Sequence, residues 1–143
     1  MTRNLIKKQA FNYKQIDIYL KKAKEGIDNS EKILKISEEE AFKATYDAML
    51  KITLALMLLY SVRPKSRPGH HKAMIEFTEK TLGKENKNII VRFDKMRQRR
   101  NKIIYEISII NYQEAKEAAI LAKQYHLLVK KIVEKKNPQK KLI

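Results

Sequence analysis

The stretch from Ser37 to Val62 constrains the fold most strongly. Ser37-Glu38-Glu39-Glu40 has the Ser-x-x-Glu form of a capping box, with three carboxylates in the first turn, where the helix dipole favours them. After Leu50 nearly every residue is apolar, and Pro64 prevents the helix from continuing. A helix that is apolar on all sides must be covered by several neighbours or by a second subunit. The sequence therefore predicts a central helix in this stretch, helix 2.

Other segments predict helices around this one. Apolar residues at steps of four and three predict helix 1 from Asn12 to Lys35, and the pattern crosses Gly26 without a break. A basic loop, Ser61 to Gly69, should follow helix 2. Helix 3 is then expected from His71 to Leu82, helix 4 from Asn88 with a kink near Glu106, and helix 5 after an N-cap at Asn111. With only three glycines and three prolines, the chain is expected to be all-α.

The balance of charge restricts the class of partner. The chain of 143 residues carries 32 Lys and Arg against 16 Asp and Glu, a formal net charge of +16. Such an excess favours an anionic partner, with nucleic acid ahead of a membrane surface. The longest nearly apolar run, Ile52 to Val62, is about half of a membrane span.

Length and composition also predict the domain organisation and the compartment. We expect one helical domain over residues 1–134 and a basic, frayed tail over residues 135–143. The absence of cysteine excludes disulfides and thiolate chemistry and agrees with a reducing compartment, and the first residues lack the apolar core of a signal peptide. We therefore expect a cytoplasmic protein.

Helix 4 contains an arginine in the phase of the core. Ile89, Phe93, Met96 and Ile103 share one helical face, and Arg100 occupies the missing step. A guanidinium cannot lose its proton, so on a buried face it must be paired or must face a crevice. Two interpretations are open: a solvated basic face with one mis-phased arginine, or an anion-binding site in a groove between helices. Arg97 and Arg99 flank Arg100, and the side chains of Asn101 and Tyr105 can meet because they are one turn apart.

Other chemistry has little support in the sequence. Adjacent His70 and His71 diverge on a helix and cannot share a metal, and His126 is distant, so we expect no metal site. There is no glycine-rich phosphate loop and no Gly-x-Ser-x-Gly elbow, so no cofactor is expected. Asp47 is spaced to pair with Lys51 as an ordinary surface ion pair, or else to orient an arginine of helix 4.

Three stretches resemble the HEPN superfamily, the helical domains named for higher eukaryotes and prokaryotes nucleotide-binding. The resemblance covers most of the chain, and its more specific part is the Arg-Asn step that follows a short third helix. The stretches are Tyr19 to Glu25; Ala44 through Leu59 to Arg63-Pro64 with the following Gly69-His70-His71; and Arg99-Arg100-Asn101-Lys102-Ile103-Ile104-Tyr105.

The resemblance implies a four- to five-helix up-and-down bundle that dimerises, with RNA cleavage in the active members. The family motif is an arginine, then a polar residue, then a histidine after four to six intervening positions. Arg100 and Asn101 match its start, but Tyr105 stands where the histidine belongs, after four intervening residues. Tyrosine titrates at about 10 rather than about 6.5, so it is a poor general base at neutral pH.

These observations lead to three hypotheses. The first is a degenerate HEPN-like homodimer that binds RNA or a nucleotide through Arg97, Arg99, Arg100 and Tyr105, with weak or absent cleavage, in a toxin-antitoxin pair with a nucleotidyltransferase. The second is a metal-independent endoribonuclease with Arg100, Asn101 and Tyr105 as catalytic residues and Asp47 in support. The third is a non-catalytic scaffolding or substrate-binding subunit for an acidic protein. For the dimer, we expect helix 2 or helix 4 at a two-fold interface.

Overall fold

Five α-helices make up most of the described part of the chain. The computed structural model describes residues 5–10, 12–107 and 109–137. The helices are α1 (Tyr13–Ile33), α2 (Glu38–Leu59), α3 (His70–Leu82), α4 (Lys87–Tyr105) and α5 (Tyr112–Lys136); they are accompanied by two short strands, β1 (Ile6–Lys8) and β2 (Val62–Pro64), and a 3-10 turn over Lys84–Asn86. The expected helical class is confirmed, whereas the two strands were not predicted.

The helix ends follow the predicted capping residues. Ser37 Oγ accepts a hydrogen bond from the Glu40 amide at 3.1 Å, and Asn111 Oδ1 accepts one from the Glu114 amide at 2.8 Å. Both contacts satisfy an N–H group that a helix start leaves without a backbone partner. Gly83 follows α3 with a φ of 77°, a conformation that suits glycine. α4 ends at Tyr105, and Glu106 is extended, so the chain changes direction where the sequence indicated.

α2 lies at the centre of the bundle and packs against each of the other four helices. Gly26 permits a close approach of α1, since a Cβ there would lie 3.4 Å from the Ala48 Cβ. On the α3 and α5 sides, Thr53 Oγ1 lies 2.7 Å from the Tyr125 hydroxyl, which is also 3.5 Å from Thr78 Oγ1. The prediction of a central helix is confirmed. A single chain covers it, so its apolar composition gives no reason to require a second subunit.

The segment before α1 pairs with the loop after α2. β1 and β2 are antiparallel, with Ile6 opposite Pro64 and Lys8 opposite Val62. The Gln9 amide extends the pairing by donating to the Ser61 carbonyl at 2.9 Å. Strands of three residues are too short for the alternation that reveals a strand in a sequence, and the loop was therefore predicted without one. This pairing fixes the chain that leads into α3.

One hydrophobic core draws side chains from all five helices. α5 continues to Lys136 and Asn137 is buried, so the helix extends into the residues for which a frayed tail was predicted. The rest of that prediction, residues 138–143, lies outside the described residues. Within the described ranges, the helices include none that is both long and apolar enough to cross a membrane.

Candidate anion-binding site

Arg100 lies on the inward face of α4, as its phase predicted. Phe93 and Met96 on that face are buried, and Ile103 packs partly buried against the core. The Nε and Nη1 atoms of Arg100 are buried and have no hydrogen-bond partner in the described part of the chain. A buried guanidinium without an acceptor is costly, because these donors have lost water and gained nothing in return. The fold therefore holds a cation that an anionic group would stabilise.

His71 of α3 lies in the electrostatic field of this arginine. Its Nδ1 is 3.2 Å from the hydroxyl oxygen of Tyr46, and the two ring centroids are 5.7 Å apart. Burial lowers the pKa of His71, with further lowering from His70, Arg100 and Arg97, while Asp47 opposes the shift. The imidazole is thus biased towards its neutral form.

The tautomer of His71 depends on the direction of its hydrogen bond with Tyr46. Burial raises the pKa of Tyr46 well above its usual range, against the opposing effect of Arg97 and Arg100, so the hydroxyl stays protonated at neutral pH. If this hydroxyl donates to Nδ1, then Nε2 carries a proton and is a donor. If it accepts from Nδ1, Nε2 has a lone pair and can accept a proton. Nε2 can therefore donate a proton in the first tautomer and accept one in the second.

A cavity of about 480 Å³ lies between the start of α3 and the second half of α4. We call it the arginine cavity. Among the described residues, three cationic side chains and no carboxylate line it, and Gly69, with a φ of 83°, turns the chain into α3 beside it. Its lining residues are Ser66, Arg67, Pro68, Gly69, His70, His71, Lys72, Arg97 and Asn101. This lining suits an anion, since cations and neutral donors surround the space.

The predicted residues Arg97, Arg100 and Asn101 come together at this site, in unequal roles. Arg97 and Asn101 line the arginine cavity, whereas Arg100 is not among its lining residues. The Nε of Arg97 forms an ion pair with Asp94 Oδ1 at 2.9 Å, one turn earlier on α4. Arg97 is therefore partly neutralised, while Arg100 retains buried donors without a partner.

Arg99 was predicted to bind nucleic acid, but in the structure it joins α4 to α5. Its Nε and Nη2 donate to the two carboxylate oxygens of Glu114 at 2.6 and 2.9 Å, and Nη2 also donates to the Ile109 carbonyl at 2.8 Å. The hydrogen bond to Glu114 is the main cause that raises the pKa of Arg99. A bidentate pair of this kind fixes the connection between two helices.

Tyr105 and Asp47 lie at the margins of the site. Tyr105, the last residue of α4, is 82% exposed, and it lines none of the cavities described here. Asp47 is on the least covered side of α2, as predicted, and acts on His71 and Tyr46 through its charge. In the described ranges it forms no ion pair with Lys51 or with an arginine of α4.

His71 was not among the predicted site residues, although the sequence contains a signal for it. His71 precedes the buried residues Ile75, Thr78 and Leu82 by four, seven and eleven positions, so it has the phase of the core on α3. Arg100 has the same inward phase on α4, so the helical period could have predicted an inward histidine as well. The spacing between the histidines, which bears on metal binding, carries no such signal.

The described residues include no group of three or more His, Asp or Glu side chains suited to a metal ion. Comparison of the chain with protein-family models, with curated proteins and with solved structures gave no significant match.

Proposed function

We propose that this chain is a HEPN-like helical protein that binds RNA or a nucleotide through a phosphate group in the arginine cavity. The observation that carries the proposal is the cationic lining of this cavity by Arg67, Lys72 and Arg97. Arg100 does not line the cavity, but its charge acts on His71, which does, and its buried Nε and Nη1 have no partner in the described protein. A phosphate next to His71 and Arg97 would compensate that charge. The net charge of +16 supports a polyanion rather than a small neutral ligand.

Fluorescence anisotropy with a labelled single-stranded RNA tests this proposal. Arg100→Met keeps an unbranched apolar stem and removes a charge next to the cavity, so we expect affinity to fall about tenfold, through the loss of a charge–charge attraction. Arg92→Met is the matched control, because Arg92 also lies on α4 but borders a different cavity. Equal losses in the two variants would mean that only net charge attracts RNA, and the site would be wrong.

Salt dependence provides an independent check. Each phosphate contact releases counterions, so affinity should fall steeply between low and physiological salt, and Arg100→Met should have a shallower slope than wild type. If the affinity of the wild-type protein does not change with salt, the nucleic-acid interpretation is wrong.

A second candidate function is metal-independent RNA cleavage, and the position of His71 favours it. In this reaction the RNA 2′-oxygen attacks the adjacent phosphorus, its proton passes to a base, the bond to the 5′-oxygen breaks, and that oxygen takes up a proton. An imidazole transfers protons at neutral pH more readily than a phenol, and His71 lies beside the arginines. The role first given to Tyr105 would then belong to a histidine from a different helix.

Cleavage of labelled RNA in the presence of a chelator tests the second candidate. If the wild-type protein cuts and His71→Gln binds RNA normally without cutting, His71 is the proton-transfer group. If Tyr105→Phe instead abolishes cutting, tyrosine performs that step. A wild-type protein that binds RNA and leaves it intact supports the binding function alone.

The proposal includes the homodimer and the nucleotidyltransferase partner that the HEPN resemblance implies. The support is an exposed apolar segment, from the end of α4 to the start of α5, that directly follows the site: Ile104, Tyr105, Ile107, Ile109 and Tyr112. Exposed apolar patches are typical of protein interfaces. Light scattering at micromolar concentration should give the mass of a dimer. The mass of a monomer would contradict the homodimer and would leave the proposed RNA binding unaffected.

A further inference from the structure

A second cavity, of about 460 Å³, adjoins the arginine cavity. We call it the leucine cavity. It lies between α1, α2 and α3, and the loop that contains β2 closes one end. The two cavities share Ser66, His70 and His71. The remaining lining residues are Gln9, Gln15, Tyr19, Leu50, Leu54, Leu58, Arg63, Pro64 and Met74.

The leucine cavity has an apolar floor. Leu50, Leu54 and Leu58 recur at intervals of four along α2, and Met74 of α3 completes the surface. Leu58 and Met74 are buried, whereas Leu50 and Leu54 are partly exposed on the least covered side of α2. Apolar surface combined with a volume between about 300 and 1,000 Å³ is typical of small-molecule sites.

Polar groups line the same cavity. Within the described chain, the carboxamide of Gln15 and the hydroxyl of Tyr19 have no hydrogen-bond partner, and Gln9 uses only its Nε2, at 3.3 Å from the Ala10 carbonyl. A carboxamide both donates and accepts, as the edge of a nucleobase does. The Tyr19 ring offers a surface for stacking. The lining thus suits a flat heteroaromatic group with polar edges.

The arginine cavity is strongly cationic and the leucine cavity is much less so. A nucleotide has a matching difference, because its phosphate is anionic and its base is neutral. Arg67, Lys72 and Arg97 line the arginine cavity, whereas Arg63 is the one Lys or Arg in the lining of the leucine cavity. We propose that one nucleotide unit binds across His71, with its base in the leucine cavity and its phosphate in the arginine cavity. The phosphate half rests on the function proposed above, and the base half is new.

Calorimetric titration of the full chain with adenosine 5′-monophosphate and with ribose 5-phosphate tests the base half. The two ligands carry the same phosphate, so the wild-type protein should bind the nucleotide about tenfold more tightly or better, the gain typical of stacking one base. Gln15→Ala removes an edge contact, and Leu54→Trp fills the cavity. Both variants should abolish that difference without weakening the binding of ribose 5-phosphate. Gln124→Ala, an exposed position on α5, is the control.

The outcomes separate this proposal from the function on which it rests. Equal binding of the two ligands by wild type, or an unchanged preference in both cavity variants, overturns the base site and leaves the phosphate site intact. Weaker binding of both ligands by Arg100→Met is expected from the phosphate half. If neither small ligand binds, the same variants are titrated with single-stranded RNA and with an abasic strand. If the wild-type protein prefers the RNA to the abasic strand and Gln15→Ala removes that preference, the site binds a nucleotide within a strand. If there is no preference, the base site is overturned.

Discussion

Arg99 and Arg100 are neighbours in sequence, and the fold uses them in opposite ways. The guanidinium of Arg99 meets the Glu114 carboxylate through two nitrogens and the Ile109 carbonyl through one. The guanidinium of Arg100, about a hundred degrees further around α4, has two buried nitrogens with no partner among the described residues. The first arginine holds the connection between α4 and α5 in place. The second has buried donors to which the described protein supplies no acceptor, and an anion would stabilise its charge.

This difference shows how a structural cation can be distinguished from a functional one. Both residues belong to the same basic run, and composition treats them alike. The criterion is whether the protein itself supplies the acceptors, because a satisfied charge stabilises the fold and an unsatisfied buried charge destabilises it. The two arginines should consequently respond to the same substitution with opposite changes in stability.

The largest expected effect is the loss of stability in Arg99→Met. The substitution leaves the Glu114 carboxylate and the Ile109 carbonyl without their donor, so the free energy of unfolding should fall by about 1 to 3 kcal/mol. Urea denaturation measures the change. Affinity for RNA should differ from wild type by less than about threefold, which is the scatter expected away from a site. A stable Arg99→Met protein with weak RNA binding would reverse the roles assigned to the two residues.

Arg100→Met should change stability in the other direction. Replacing a partly buried cation that has two buried, unpartnered nitrogens by an apolar chain of similar length should raise the free energy of unfolding by about 1 to 2 kcal/mol, since replacing buried charge by apolar groups is often stabilising. The same urea denaturation applies. A protein that is less stable than wild type would show that Arg100 is satisfied within the fold, and it would weaken the case for an anion.

The third prediction concerns pH and His71. The pKa of the free imidazole is lowered, and a bound phosphodiester would raise it, so binding takes up a proton. Affinity should therefore rise as pH falls below the pKa of the bound imidazole, and it should level off below the lowered pKa of the free imidazole. The groups that act on His71 include Tyr46, His70 and Asp47 together with Arg97 and Arg100. We expect about a three- to tenfold gain. Anisotropy at several pH values measures it, and an identical profile in His71→Gln would mean that another group is responsible.

The smallest effect is expected at Tyr105. Because the side chain is 82% exposed at the end of α4, Tyr105→Phe should change the free energy of unfolding by less than about 0.5 kcal/mol. Its effect on RNA binding should not exceed that of one neutral hydrogen bond, about 0.5 to 1.5 kcal/mol. Tyr105→His restores the residue expected from the family motif and should raise cleavage if this position reaches the RNA. No change in that variant would agree with a site centred on His71.

The sequence by itself determined most of the helical architecture. Ser37 and Asn111 cap α2 and α5 as predicted, because a side-chain cap is a local interaction between residues three positions apart. Steps of three and four predicted the buried face of α1, and the same helical period marked Arg100 of α4 as an inward arginine. These features depend on the geometry of one helix, which the sequence encodes directly.

Only the tertiary structure decided which partners these side chains meet. Glu114 is fifteen residues from Arg99, and Tyr46 is twenty-five from His71, so no periodicity relates the members of either pair. The pairing of β1 with β2 is equally non-local, and it closes one end of the leucine cavity. The packing of α3 against α4 brings His71 to Arg97 and Arg100, because the distance between helices is set by the whole core and not by the spacing within one of them.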